Sequence, residues 1–170
     1  MRLAARLVVI PLLTVALFLT GCTLTDPGWT KVDAGQLSLE RPAGWRSIAS
    51  ADAAWPLAFT GDGMEMRIAP QFSEDPLAAA AYDRLDLPAR VGLSGYAPSG
   101  AKTFEVPGAD TAVRSDFTYT DAGTPRHGIW IIAGQYPFPR TSAVAITGER
   151  LDDTIVQRIL SSLRYTKQNS

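Results

Sequence analysis

The chain predicts an α+β fold in one domain, with a central, mostly antiparallel sheet. Three observations carry this reading. Segments with two-residue alternation recur through residues 36–147, some of them joined by tight turns. Helical periodicity, about 3.6 residues per turn, shows in only two places, after Ser73 and after Leu151. The strand-like segments follow one another as hairpins, without the regular strand–helix alternation of a parallel sheet.

Gln36–Glu40 reads as the first strand, closed by a Pro-Gly turn before Trp45. Leu57–Thr60 and Met64–Ala69 read as a hairpin around Gly61-Asp62-Gly63. Met64, Met66 and Ile68 alternate with Glu65 and Arg67, so one face is apolar. The period then changes. Asp75 is the expected N-cap, Pro76 the first helical residue, and Leu77, Ala81 and Leu85 recur at helical spacing until Pro88 ends or kinks the helix. Gly92–Gly100, "GLSGYAPSG", is loop chemistry, and Ala101–Val106 is the next expected strand. In Thr111–Thr120, Val113, Ser115, Phe117 and Tyr119 share one face, and Arg114 and Asp116 pair on the other. "DAGTPRHG" turns the chain, and Gly128–Ala133 returns as a nearly continuous apolar run, the pattern of a central strand. Thr141–Thr147 is the last strand expected. Asp152 then caps a helix whose stripe is Ile155, Val156, Ile159, Leu160 and Leu163, with Leu151 and Val156 at hydrophobic-staple spacing. Trp45 and Trp55 are expected at core edges.

The first 28 residues belong to a different kind of segment. Arg2 and Arg6 give a positive start, and Leu7–Leu19 is an apolar run broken only by Pro11 and Thr14. Spanning a bilayer core takes ~20 apolar residues, so this run has the length of a signal-peptide core. Leu19-Thr20-Gly21-Cys22 follows and resembles the bacterial lipobox. The resemblance implies cleavage before Cys22, the only cysteine, and a diacylglyceryl thioether on its sulfur. Residues 1–21 are then a lipoprotein signal peptide, 22–28 the lipidated cysteine with a short tether, and 29–170 one globular domain. Two or more acyl chains anchor a protein stably. The expected location is therefore the extracytoplasmic face of the cell membrane.

Little chemistry is available to such a domain. With Cys22 lipidated, no thiol remains for a disulfide, a zinc–thiolate site or a nucleophile. His127, the one histidine, would have to serve any Ser-His-Asp site together with Asp116 or Asp121, and no Gly-x-Ser-x-Gly elbow is present. The acidic groups at Glu74-Asp75, Asp62 and Asp152-Asp153 fit a helix start, a turn and a first helical turn rather than a calcium loop. Gly92–Gly100 lacks the Gly-Lys-Ser/Thr ending of a phosphate loop. No enzyme activity, metal or cofactor is expected. Signal cleavage removes Arg2 and Arg6 from the 16 basic residues, leaving 14 against 17 acidic ones, a net charge of -3. That balance disfavours a nucleic-acid partner.

Three stretches resemble a known family: "LERPAGWRSI" at 39–48, "VRSDFTYTDAGTPRHGIWII" at 113–132 and "DDTIVQRILSSLR" at 152–164. Their order is similar to that of the PsbP-like fold and, more narrowly, of actinobacterial lipoproteins of the LpqN/LpqT family, over roughly Trp29–Tyr165. An excess of Arg over Lys and many alanines agree with a GC-rich genome. The resemblance implies an α/β/α sandwich, no shared catalytic residues, and a role as a binding or interaction module of the envelope. Candidate contacts are Tyr96, Tyr136 and Phe138, on expected surface loops. The partner is an envelope protein or, alternatively, a lipid or other apolar small molecule carried in a cavity between sheet and helix.

Overall fold

A computed structural model describes residues 26, 28–138 and 140–168. In chain order the elements are β1 (Trp29–Ala34), β2 (Leu37–Pro42), β3 (Arg46–Ile48), β4 (Leu57–Gly61), β5 (Met64–Ser73), α1 (Ala78–Gly92), β6 (Ser94–Pro98), β7 (Lys102–Thr103), β8 (Thr111–Asp121), β9 (Thr124–Gly134), β10 (Thr141–Gly148), α2 (Asp153–Ser162) and β11 (Arg164–Tyr165). The main sheet runs β3-β4-β5-β10-β9-β8-β6, with β7 also on β8, and a small sheet runs β1-β2-β11. Every pairing is antiparallel.

Two tight turns set the register. Asp62 (φ 52°) and Gly63 (φ 73°) close the β4–β5 hairpin, and Ala122 (φ 47°) and Gly123 (φ 84°) close β8–β9. Paired positive φ values match the twist of antiparallel strands. The second turn is therefore two residues long, and β9 begins at Thr124 rather than near Gly128.

The alternation set by these turns divides the apolar residues between two cores. One face of the main sheet turns Met64, Met66, Ile68, Ile129, Ile131, Val144 and Ile146 toward Val156, Ile159 and Leu160 of α2, and toward Leu37 and Leu39 of β2. The other turns Val113, Phe117, Trp130 and Ile132 toward Ala78, Ala81, Tyr82 and Ala89 of α1. The helices thus serve opposite faces. On the first face α2 lies beside the small sheet: the Glu40 amide donates to Ser162 Oγ at 2.8 Å. Trp45 and Trp55 are both buried.

Asp152 caps α2 as expected, accepting from the Thr154 and Ile155 amides. Helix α1 departs from expectation. Its N-cap is Leu77, without a side-chain cap, and Asp75 instead accepts from Ser73 and, at 2.8 Å, from Arg84 Nε. Leu77 is exposed, and the buried stripe is Ala78, Ala81, Tyr82, Asp86 and Ala89. The helix continues past Pro88 to Gly92. The expected loop at 92–100 contains β6, and the expected strand at 101–106 shrinks to β7. Strands β1, β3 and β11 add to the elements that the sequence pattern predicts. They are short or largely polar edge strands with little apolar alternation.

Two substitutions test this architecture. Asp152→Ala should lower the unfolding free energy by about 0.5–2 kcal/mol, read from urea midpoints, because it removes a helix cap. Gly108 has φ +90°, and a Cβ there would stand 1.9 Å from the Tyr165 carbonyl oxygen. Gly108→Ala should therefore shift the midpoint far more than Gly44→Ala, whose added Cβ meets nothing within 4 Å.

Candidate functional site

Helix α1 packs mainly over β6, β8 and β9 and leaves part of the same face bare over β4, β5 and β10. A groove of about 940 Å³ lies there, within the range of ligand sites. The ladder register builds its floor. One cross-strand row is Thr60–Glu65–Thr147–Gly128, and the next is Ala58–Arg67–Ala145–Trp130. Thr147, Gly128 and Ala145 are small, so the floor is low. Gly128 is needed for a second reason: the Phe117 ring crosses it, and a Cβ would stand 2.1 Å from Phe117 Cζ.

Leu85 and Leu93 line the groove from the α1 side, and Trp55 from the loop before β4. Phe117, Tyr119 and Trp130 form an aromatic inner wall, with Phe117 and Trp130 ring centroids 4.2 Å apart. The rim is charged with both signs. Asp62, Asp121, Arg126, Glu149 and Arg150 come from the hairpin ends and the chain leaving β10. Arg67 is paired with Glu65 on the floor, and Arg126 Nη2 lies 3.5 Å from Asp121 Oδ2. Arg126 Nε is buried and has no hydrogen-bond partner among the described residues. Such a donor is costly to leave unmatched, and Arg41 Nε and Thr141 Oγ1, outside the groove, share that condition.

A buried polar cluster stiffens the inner wall from behind. Asp86 Oδ1 accepts from Tyr82 at 3.0 Å and Tyr96 at 2.9 Å, and Oδ2 accepts from Arg90 Nε at 2.6 Å. Ser115 Oγ lies 3.2 Å from the Tyr82 hydroxyl. Burial pushes the Asp86 carboxyl up, but the hydrogen bonds from Arg90, Tyr96 and Tyr82 outweigh it and hold the group below its ordinary value. The hydroxyls of Tyr82 and Tyr96 are pushed up, first by burial, so they stay protonated and donate. The cluster ties α1 to β6 and β8.

Tyr96 is thereby corrected from a loop position to strand β6. Its ring packs on Phe117 and Trp130 at 5.7 and 5.8 Å. Tyr136 is 61% exposed, and Phe138 is half-buried. These residues do not converge. Tyr136 follows Gly134, opposite Thr111, whereas Ala97 beside Tyr96 stands opposite Thr118. Seven residues of β8 separate the two levels, roughly 24 Å. His127 is exposed, opposite Thr118 and Gly148 within the sheet, and no described Ser or Asp side chain hydrogen-bonds to it. Arg114 and Asp116 form the expected pair, with Nη2 to Oδ1 at 2.6 Å. Cys22 lies outside the described residues. A second cleft, of about 630 Å³, is lined mostly by apolar residues, including Leu77, Phe104, Val106, Ala109 and Val113.

No protein-family model matches the chain, and no curated protein matches its sequence. Solved structures do share its fold. LpqN of Mycobacterium tuberculosis, described as involved in cell envelope biogenesis, is 16% identical at a TM-score of 0.50, over 82% of this chain and 91% of that one. The Saccharomyces cerevisiae Ran-binding protein Mog1p is 8% identical at 0.54, over 82% of this chain and 96% of that one. The α+β, LpqN-like fold expected from the sequence is the fold found. At these identities the likeness concerns the fold alone, and one fold serves unrelated functions.

The Asp86 cluster makes a pH-dependent prediction. Its folded-state carboxyl titrates below the unfolded value of about 3.9, so its stabilisation is present above that value and lost as pH falls through the folded one. Asp86→Asn should lower stability at pH 7. It should also flatten the decline between pH 5 and pH 2, measured by urea unfolding at each pH. A decline as steep as the unsubstituted protein's would refute the assignment.

Proposed function

We propose that this chain is a lipid-anchored, extracytoplasmic and non-enzymatic binding module of the cell envelope, built on a PsbP-like domain, and that the groove beside α1 receives a segment of a protein partner. The groove itself carries the reading. It combines an aromatic inner wall, a rim of mixed charge and an unmatched Arg126 donor. Aromatic and arginine anchors with a polar rim are what protein recognition sites use. The envelope setting is supported by the lipobox-like Leu19–Cys22 and by the shared fold with LpqN. Anchoring at Cys22 would confine the module near the bilayer and raise its effective concentration for modest contacts.

The cleft beside Leu77 and Phe104 favours a second reading, a carrier of a lipid or other apolar small molecule, because its lining is mostly apolar. Weighing the natively purified protein before and after organic extraction separates the two. A stoichiometric apolar adduct supports the carrier. An unliganded particle leaves the protein-binding groove in front.

Two further outcomes are expected. Photo-crosslinkers placed at Glu149 in the intact envelope should capture a protein, and Thr147→Trp, which fills the groove, should abolish that capture while folding is retained by circular dichroism. Capture unaffected by Thr147→Trp would move the contact elsewhere. Cys22→Ala should accumulate as an unlipidated precursor, seen as a mass without the diacylglyceryl group. Normal lipid modification of that variant would refute the anchor.

A further inference from the structure

The groove and the point where the tether joins the domain lie on opposite sides of the sandwich. Asp26, the first residue described, is docked rather than trailing. Arg158 of α2 donates from Nη1 to Asp26 Oδ2 at 3.2 Å and from Nε and Nη2 to Glu40 Oε2 at 3.0 and 2.9 Å. Its guanidinium also sits 4.9 Å from the centre of the Trp29 ring. The Asp26 carboxylate in turn accepts from the Gly28 amide at 3.1 Å.

The sidedness follows from the alternation of β2. Leu37 and Leu39 point into the core shared with the main sheet, so Glu40 points outward. The clamp therefore sits on the outer surface of the layer formed by β1, β2, β11 and α2. The groove lies beyond that layer and beyond the main sheet, on the α1 face. Packed layers stand roughly 10 Å apart, so the groove is at least that much farther from the clamp side. With Asp26 docked, only Thr23, Leu24 and Thr25 separate it from Cys22. Four Cα steps reach at most ~14 Å. The charges on the clamp surface are paired, Lys31 with Asp33 and Arg158 with both Asp26 and Glu40, so no cation or carboxylate of this set stands alone toward a bilayer.

We infer that the Arg158–Asp26 clamp turns the β1–β2–α2 layer toward the membrane and holds the groove away from it. The groove is thereby presented to a protein partner on the aqueous side, not to the lipids of the anchoring leaflet. This orientation rests on the anchoring at Cys22 proposed above.

The test uses the full-length, lipidated protein reconstituted in phosphatidylcholine vesicles containing a nickel-chelating headgroup lipid. A spin label is placed at Lys31→Cys on the clamp face or at Thr147→Cys in the groove. Nickel should shorten the relaxation of the Lys31→Cys label and leave the Thr147→Cys label close to its value in nickel-free vesicles. Arg158→Ala should narrow that difference. Failure of the unlabelled protein to float with vesicles would remove the anchor, and the orientation with it. Flotation with equal relaxation at both sites, or faster relaxation in the groove, would overturn the orientation alone.

Discussion

The antiparallel register of β5, β10, β9 and β8 is the constraint on which everything else rests. Successive side chains on a strand point to opposite faces, so one register decides both cores at once. It sends Ile129 and Ile131 toward α2 and Trp130 and Ile132 toward α1. The same register sets Thr147 beside Gly128 and Ala145 beside Trp130, which makes the groove floor. A slip of one residue would turn Ile129 and Ile131 into the groove and Trp130 toward α2. The two tight turns, at Asp62-Gly63 and Ala122-Gly123, are therefore as important to the groove as any residue lining it.

The sequence made much of this scaffold legible, because the strongest signals in it are local. The apolar face of Met64, Met66 and Ile68, the continuous run at 128–133 and the stripe of α2 all lie where their periods place them. Errors gathered where burial depends on distant partners. Helix α1 hides small alanines and an aspartate instead of its leucines, and no local pattern announces a buried Asp86. Its partners Tyr82, Tyr96 and Arg90, and Ser115 behind Tyr82, come from three elements that only the fold brings together. Tyr96, amid Gly, Ser and Pro, has loop-like neighbours in sequence, and only the pairing of β6 with β8 sets its ring against Phe117 and Trp130. The groove was still less visible. Glu65 and Arg67 lie on β5, Arg126 on β9 and Glu149 just after β10, and each alone looks like an ordinary solvated charge.

The Asp86 cluster shows why a groove wall can be stiff without being wholly apolar. An unpaired carboxylate under a helix would be strongly destabilising. Here two tyrosine hydroxyls and a guanidinium satisfy it, and those tyrosines also contribute rings to the aromatic stack behind the groove. Polar satisfaction and aromatic packing therefore reinforce one another. Loss of either would loosen α1, and with it the side of the groove formed by Leu85 and Leu93.

The β1–β2 ladder has a mechanical consequence. Its six residue pairs join Trp29 to Pro42 at one end and Ala34 to Leu37 at the other. A pull on the chain from the amino-terminal side enters at Asp26 and Trp29, and it meets Arg158 and this edge ladder first. Helix α1 and strands β5, β8, β9 and β10, which carry most of the groove, are not the first elements to bear that load. The small sheet can thus yield as a strain relief while the binding surface keeps its shape.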